Sequence, residues 1–227
     1  MTAKKKLQKE YISTPKGVYT KITQKEIEIL NIFSKNPLKK MDFKGIREEI
    51  GGKSNRGLFN SLKKLELSNI LYVETVGKSK RYFINLYNNV SLGLLAYVET
   101  AKAGNIGRIP HKLLNTILGG IENPFAIILI TGSYAEGREN RNSDLDVAAI
   151  IPDSEDKRII HNYLKNTGAL TTPEIHPYVF NASEFYSMLI NKEENYGKEI
   201  FRKRIILTGA EIYYKIIRRA IENGFKG

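Results

Sequence analysis

Two short apolar runs constrain the fold of this chain more than any other feature. FAIILIT (125–131) leads into Gly132-Ser133, and VAAII (147–151) directly follows Asp144-Leu145-Asp146. Continuous apolar runs of this length, bounded by proline or glycine, predict strands that are covered on both faces. The sequence therefore predicts an α/β (α+β) fold here, with a small mixed sheet flanked by helices.

The two aspartates at the start of the second strand predict a metal site. Side chains at i and i+2 of a strand project to the same face, so Asp144 and Asp146 point to one place. Mg²⁺ neutralises such a pair, and substrate phosphates can complete its coordination. Two ions about 3.5–4 Å apart can activate an attacking oxygen and stabilise a leaving one. Gly132 lets the backbone approach a bulky anion closely, and Ser133 offers a hydroxyl and an amide to phosphate oxygens.

This arrangement resembles the signature of the polymerase-β-type nucleotidyltransferase superfamily. Gly132-Ser133, ten intervening residues and Asp144-x-Asp146 match it, and the residues between are similar to those of its minimal bacterial and archaeal branch. The resemblance covers roughly residues 108–210. It implies metal-dependent transfer of a nucleoside monophosphate from an NTP, with ATP favoured. Gly132 and Ser133 would hold the triphosphate, and Asp144 and Asp146 would bind the two Mg²⁺ ions.

The same resemblance implies a third carboxylate on a later strand. The candidate strand is Thr172–Phe180, reached after a predicted helix over 154–167, and Glu174 is its only acidic residue. Glu174 is therefore expected as a metal ligand and catalytic group. Pro177 cannot donate to a sheet and predicts an edge strand or a break. His176 lies on the same face as Glu174 and stays open as a substitute, and a degenerate site is the other alternative.

The remainder of this half predicts helices. His161 is expected on the surface of the helix over 154–167. Beyond it, helices are expected over 181–192, 196–209 and 210–225, and Lys203 and Arg204 are expected on the surface rather than in a triphosphate cleft. This tail is similar, more loosely, to the C-terminal part of archaeal members of the superfamily.

The positive charge of the chain lies entirely in its N-terminal half. The net charge is +12, with 21 Lys and Arg against 9 Asp and Glu in residues 1–110 and 15 of each in residues 111–227. A polyanion such as DNA or RNA is the natural partner of such a half, because each neutralised phosphate releases counterions. A merely soluble lysine-rich surface is the alternative.

The N-terminal half also contains three predicted helices and a hairpin. Thr23 and Glu26 form a capping box, Asp42 and Ser54 begin two further helices, and runs at 70–76 and 81–86 flank Gly77-Lys78-Ser79-Lys80. This order resembles the winged helix-turn-helix family over residues 22–88. The family implies binding of double-stranded DNA through the third helix and the hairpin. The candidate contacts are Asn55, Arg56, Asn60, Lys63, Lys64, Lys78, Lys80 and Arg81. Protein contact or homodimerisation is the alternative use of such a domain.

These features divide the chain into a DNA-binding domain (22–88), a linker helix (89–107) and a nucleotidyltransferase domain (108–227). No apolar run reaches 18 residues, no apolar segment follows the basic N-terminus, and cysteine is absent. We therefore expect no membrane span, no secretory signal and no disulfides. The expected location is the cytoplasm.

The expected function is transfer of a nucleoside monophosphate to a protein or small-molecule hydroxyl, coupled to DNA binding. The neutral catalytic half lacks the basic surface of an RNA-tailing enzyme. Minimal members of the superfamily modify a partner toxin, so a small helical toxin is one candidate acceptor. The alternative is a winged-helix transcription regulator whose transferase-like domain senses nucleotide or is inactive.

Overall fold

The computed structural model describes residues 21–52, 54–106 and 109–227. The chain divides into two compact units, Met1–Val98 and Glu99–Gly227. The division falls inside a helix that begins in the stretch expected as a linker. No helix among the described residues is both long and apolar enough to cross a membrane.

The first unit contains helices alternating with a small antiparallel sheet. Its elements are α1 (Gln24–Lys35), β1 (Met41–Asp42), α2 (Phe43–Glu49), α3 (Asn55–Leu67), β2 (Leu71–Val76), β3 (Ser79–Ile84) and the first part of α4 (Asn89–Gly104). The strands lie in the order β1-β3-β2. The capping box at Thr23 and Glu26 forms as predicted, and Asp42 and Ser54 accept hydrogen bonds at the starts of α2 and α3.

The core of this unit follows the helical spacing of the sequence. Leu58, Leu62 and Leu65 are buried on one face of α3, whereas Asn55, Arg56, Asn60 and Lys63 are exposed. The hairpin is tighter than expected, because only Gly77 and Lys78 form its turn. Ser79 pairs with Val76, so the second strand begins two residues earlier than predicted.

The second unit is a mixed sheet with helices on both faces. After α4 it comprises α5 (His111–Gly119), β4 (Ile127–Ile130), α6 (Gly132–Glu136), β5 (Leu145–Ile151), α7 (Lys157–Gly168), β6 (Ile175–Asn181), α8 (Ala182–Ile190), α9 (Tyr196–Arg202), β7 (Ile205–Thr208) and α10 (Ala210–Glu222). The strand order is β6-β5-β4-β7, with β5 and β6 parallel and the other pairs antiparallel.

Alternation along β5 positions Asp146. Leu145, Val147, Ala149 and Ile151 are buried in one cluster with residues of α5 and α7. Because successive side chains of a strand point to opposite faces, Asp146 lies on the other face of the sheet. Leu145 is 0% exposed, and its burial fixes which way Asp146 points.

One predicted helix is wrong in its second half. The stretch over 196–209 forms α9 only as far as Arg202, and Ile205–Thr208 is the strand β7, antiparallel to β4. The apolar residues of Ile205–Thr208 pair along the open side of β4, and Ile206 is buried there. Gly209, at φ +78°, then begins α10.

Candidate active site

Gly132 makes room for the carboxylate of Asp146. β4 ends at Ile130, the backbone N–H of Thr131 still donates to the carbonyl of Asp146 at 3.0 Å, and the chain then turns into α6. Gly132 adopts φ +65°, and a Cβ atom at this position would collide with Oδ2 of Asp146. The glycine therefore serves both the left-handed backbone conformation and the close approach of a charged side chain.

The two aspartates form a region of concentrated negative charge. Asp144 precedes β5 and is exposed, whereas the Asp146 side chain is 24% exposed. Partial burial raises the pKa of the Asp146 carboxyl above its usual value; repulsion from Asp144 and Glu199 adds to the rise, and the charge of His176 opposes it. A carboxylate pair that repels in this way is suited to a divalent cation with oxygen ligands.

The register of β6 places His176, and not Glu174, beside Asp146. The parallel ladder pairs Leu145 with Ile175 and Asp146 with His176. Nδ1 of His176 lies 3.5 Å from Oδ1 of Asp146. Glu174 precedes the strand, where its carbonyl accepts a hydrogen bond from the N–H of Leu145. The register therefore positions Glu174 level with Asp144 rather than with Asp146, and its role as the third carboxylate stays a prediction.

Glu174 and Asp144 instead line one cavity of about 390 Å³. Its other lining residues are His161, Lys165, Ile175, His176 and Pro177. His161 was expected at the surface but is half-buried here, since α7 packs along β6. Pro177 lies within β6 without breaking it, as the prediction of an edge strand allows, because β6 is the outer strand of the sheet.

Two tyrosines beside the aspartates were not identified from the sequence. The ring of Tyr178 lies 4.7 Å from that of His176 and 4.3 Å from that of Tyr196, measured between centroids. Tyr196 hydrogen-bonds to the side chains of Thr131 and Tyr178, and burial raises its pKa. Tyr196 follows Asn195, the N-cap of α9, and nothing in the local sequence indicates that it reaches the end of β4.

Two cations near the site, Lys203 and Arg138, are paired with one carboxylate. Lys203 Nζ lies 2.7 Å from Glu136, and Arg138 pairs with the same carboxylate. Hydrogen bonds from Arg138 and Lys203 lower the pKa of Glu136, and the bond from Arg138 has the larger effect. Arg204 was expected on the surface, but the structure places its guanidinium over the ring of Tyr213, 4.6 Å from the ring centroid. Arg141, also near the aspartates, is exposed.

The carboxylates suit a cation whose coordination shell is completed by substrate phosphates. Within residues 21–52, 54–106 and 109–227, no three His, Asp or Glu side chains converge closely enough to hold a metal ion. Asp144 and Asp146 lie close enough for their charges to interact, and Mg²⁺ is commonly bound through one or two carboxylates together with phosphates. The residues present fit such an ion.

The residues expected to contact DNA lie in the first unit and are mostly exposed. Asn55, Arg56, Asn60 and Lys63 are exposed on α3, and Lys78, Lys80 and Arg81 are exposed on the hairpin. Lys64 is the exception, because it is half-buried. Its Nζ lies 3.0 Å from the carboxylate of Glu26, which is 2% exposed, because α3 packs against the start of α1. Lys64 therefore neutralises a buried carboxylate.

Comparison with known proteins identifies the second unit more closely. Residues 122–208, less than half of the chain, match a family model described as a nucleotidyltransferase domain. The matched residues run from the loop before β4 to the end of β7 and include all of the site described above. No curated protein and no solved structure matches the chain. The match supports nucleotidyl transfer as the general activity of this part of the chain.

Proposed function

We propose that this protein is a metal-dependent nucleotidyltransferase that transfers AMP from ATP to a hydroxyl group of a protein or small molecule. The observation that carries the proposal is the close approach of the Asp146 carboxylate to the backbone of Gly132. The glycine that the family signature uses for the triphosphate has no space for a Cβ, because the metal-binding carboxylate occupies that position. The match of residues 122–208 to a nucleotidyltransferase domain supports the same reaction class.

In this reaction the acceptor hydroxyl oxygen attacks the α-phosphorus of ATP. A new P–O bond forms, the bond from the α-phosphorus to the oxygen bridging to the β-phosphorus breaks, and pyrophosphate leaves. The hydroxyl proton passes to water. Asp144 and Asp146 would hold Mg²⁺, two ions by analogy with the family, which neutralise the developing phosphate charge. Gly132 and Ser133 lie where the chain leaves β4 beside these carboxylates and would orient the triphosphate.

Binding and transfer are tested separately with the full-length protein. We expect ATP to bind in the presence of Mg²⁺ and not in the presence of EDTA, as measured by isothermal titration calorimetry. We expect label from α-³²P-ATP to appear on a protein or small-molecule acceptor in an extract of the source cell. Asp144→Asn should remove both signals while the chain stays folded, because Asp144 is exposed. Binding of ATP that is unaffected by metal and by this substitution would overturn the proposal.

We further propose that the first unit is a winged helix-turn-helix that binds double-stranded DNA through α3 and the β2–β3 hairpin. The order α1-β1-α2-α3-β2-β3 and the sheet order β1-β3-β2 support this proposal. So do the charges: among the described residues, Arg56, Lys63 and Lys78 are exposed and make no ion pair. Cations without protein partners are available to phosphates.

A second candidate function is a DNA-binding regulator whose second unit binds nucleotide without transferring it. The pairing of Asp146 with His176 favours this candidate, because within the described part of the chain no third carboxylate joins the two aspartates closely enough to hold a metal ion. Metal-dependent binding of ATP without label transfer to any acceptor, together with altered DNA affinity in the presence of ATP, would support the regulator over the transferase.

A further inference from the structure

An aromatic ring lies exposed among the polar and cationic side chains of α3. Phe59 is 55% exposed, and three polar residues on the same side of the helix are exposed as well: Arg56, Asn60 and Lys63. We propose that Phe59 reads thymine in the major groove of DNA, by packing against the C5-methyl group of the base. The inference rests on the proposal that the first unit binds double-stranded DNA, and it names the base that this helix prefers.

Helical spacing places these four side chains together. Residues at i, i+3, i+4 and i+7 lie on one side of an α-helix, and four exposed residues of α3 have this spacing: Arg56, Phe59, Asn60 and Lys63. The residues of α3 that pack into the core lie on a different side and are at most 1% exposed: Leu58, Leu62 and Leu65. Burial of these leucines fixes the rotation of the helix, so Phe59 stays at the surface.

Charge decides which partner covers the ring. Arg56 and Lys63 are exposed on either side of Phe59 along the helix and make no ion pair within the described part of the chain. A second copy of the chain would present the same patch across a two-fold axis, and the unpaired cations of both copies would then repel each other. DNA supplies phosphates to these cations, and each phosphate contact releases counterions.

The major groove offers an apolar group at only one base. Among the four bases, thymine alone carries a methyl group at the major-groove edge, and apolar side chains recognise it there. Phe59 is the fifth residue of α3, and the first turns of a recognition helix are the part that contacts base edges. Asn60 follows Phe59 directly, and an asparagine amide pairs with N6 and N7 of adenine. Neighbouring residues therefore suit the two bases of an A·T pair.

Two duplexes that differ only in the thymine methyl group test the contact. One is a labelled duplex of alternating A·T pairs, and the other has uracil in place of every thymine. We expect the full-length protein to bind the thymine duplex about four-fold more tightly, because burial of one methyl-sized apolar group contributes about that factor. Both affinities are measured by fluorescence anisotropy at the same salt concentration, since phosphate contacts make affinity depend on salt.

Three variants assign the preference to one side chain. Phe59→Ala should reduce the ratio of the two affinities to about one. Lys63→Ala should weaken binding of both duplexes by the same factor and leave the ratio unchanged, because a phosphate contact carries no base information. Leu67→Ala is the matched apolar control. Leu67 is 68% exposed on α3 but lies two turns beyond Phe59, at the end of the helix, so its loss should leave the ratio unchanged.

The outcomes separate this inference from DNA binding itself. Equal affinity of the wild-type protein for the two duplexes would overturn the inference alone. A thymine preference that survives in Phe59→Ala would also overturn it, because the preference would then come from the shape of the duplex. Failure to bind either duplex would overturn DNA binding by the first unit together with the inference. A dimer that forms without DNA and dissociates in Phe59→Ala, measured by analytical ultracentrifugation, would make the ring part of a protein interface and would overturn the inference as well.

Discussion

Replacing Gly132 by alanine tests whether the space beside Asp146 is required for function. The substitution has two separable effects. The first is backbone strain, because Gly132 has φ +65°, and an L-residue in this region costs about 1–2 kcal/mol. The second is a collision of the new Cβ with Oδ2 of Asp146, which the side chain can relieve only by moving away. Displacement of a reacting group by about 1 Å can reduce turnover on the order of a hundred-fold.

Gly137 provides the matched control within the same segment. It has φ +66°, almost the same as Gly132, but a Cβ there would have no atom within 4 Å. Gly132→Ala and Gly137→Ala should therefore lose a similar amount from strain. Only Gly132→Ala should lose metal-dependent ATP binding and label transfer. The free energy of unfolding is measured by urea titration, and ATP affinity by calorimetry with Mg²⁺.

A double-mutant cycle isolates the collision. In Asp146→Ala the carboxylate is gone, and the remaining Cβ of residue 146 lies at ordinary contact distance, 3.4 Å, from the new methyl group. Gly132→Ala in that background should cost only the strain, about 1–2 kcal/mol, and less than in the wild-type background. Equal cost in both backgrounds, or equal loss of ATP binding in Gly132→Ala and Gly137→Ala, would refute the steric argument.

Three further predictions concern charges. Asp146→Asn should abolish label transfer yet raise the free energy of unfolding at pH 7, because burial and like charges raise the pKa of the folded carboxyl and its ionised form opposes folding. This gain should shrink as the pH falls through that pKa, where the wild type is also protonated; a variant that is less stable than wild type at pH 7 would contradict it. In the first unit, Lys63→Ala should reduce the slope of log affinity for DNA against log salt by about one unit, without loss of stability. Lys64→Ala should instead lower the free energy of unfolding by about 1–2 kcal/mol. This is less than for a fully buried ion pair, because the Lys64 side chain is 41% exposed. If Lys64→Ala changed the slope of log DNA affinity against log salt more than Lys63→Ala does, the role given to Lys64 would be wrong.

The strands that hold the aspartates could be predicted because their signal is local. The buried run over β4 and the alternation of Leu145 and Val147 with Asp146 follow from a few neighbouring residues. The capping box at Thr23 and Glu26 is equally local. Each depends on residues within about one turn of helix or one strand, so a pattern in the sequence is sufficient.

The position of His176 could not be predicted with the same certainty because it depends on register. Glu174 and His176 lie on the same face of β6, and either can meet Asp146 until the pairing of the two strands is known. That pairing is set by burial of Ile175 beside Leu145, a contact between residues 30 positions apart. β7 was missed for a related reason, since Ile205–Thr208 becomes a strand only through pairing with β4.

The charges around the site bear on the acceptor. A polynucleotide acceptor would need a row of cations free to neutralise its phosphates. Beside the aspartates, Lys203 and Arg138 both bind Glu136, and Glu199 and Asp144 add negative charge near Asp146. Lys165, which lines the cavity with Asp144, and exposed Arg141 make no ion pair among the described residues, but two cations do not form such a row. A protein or small-molecule hydroxyl therefore suits the site better than the end of an RNA, and an excess of RNA should compete with DNA binding but not with metal-dependent binding of ATP.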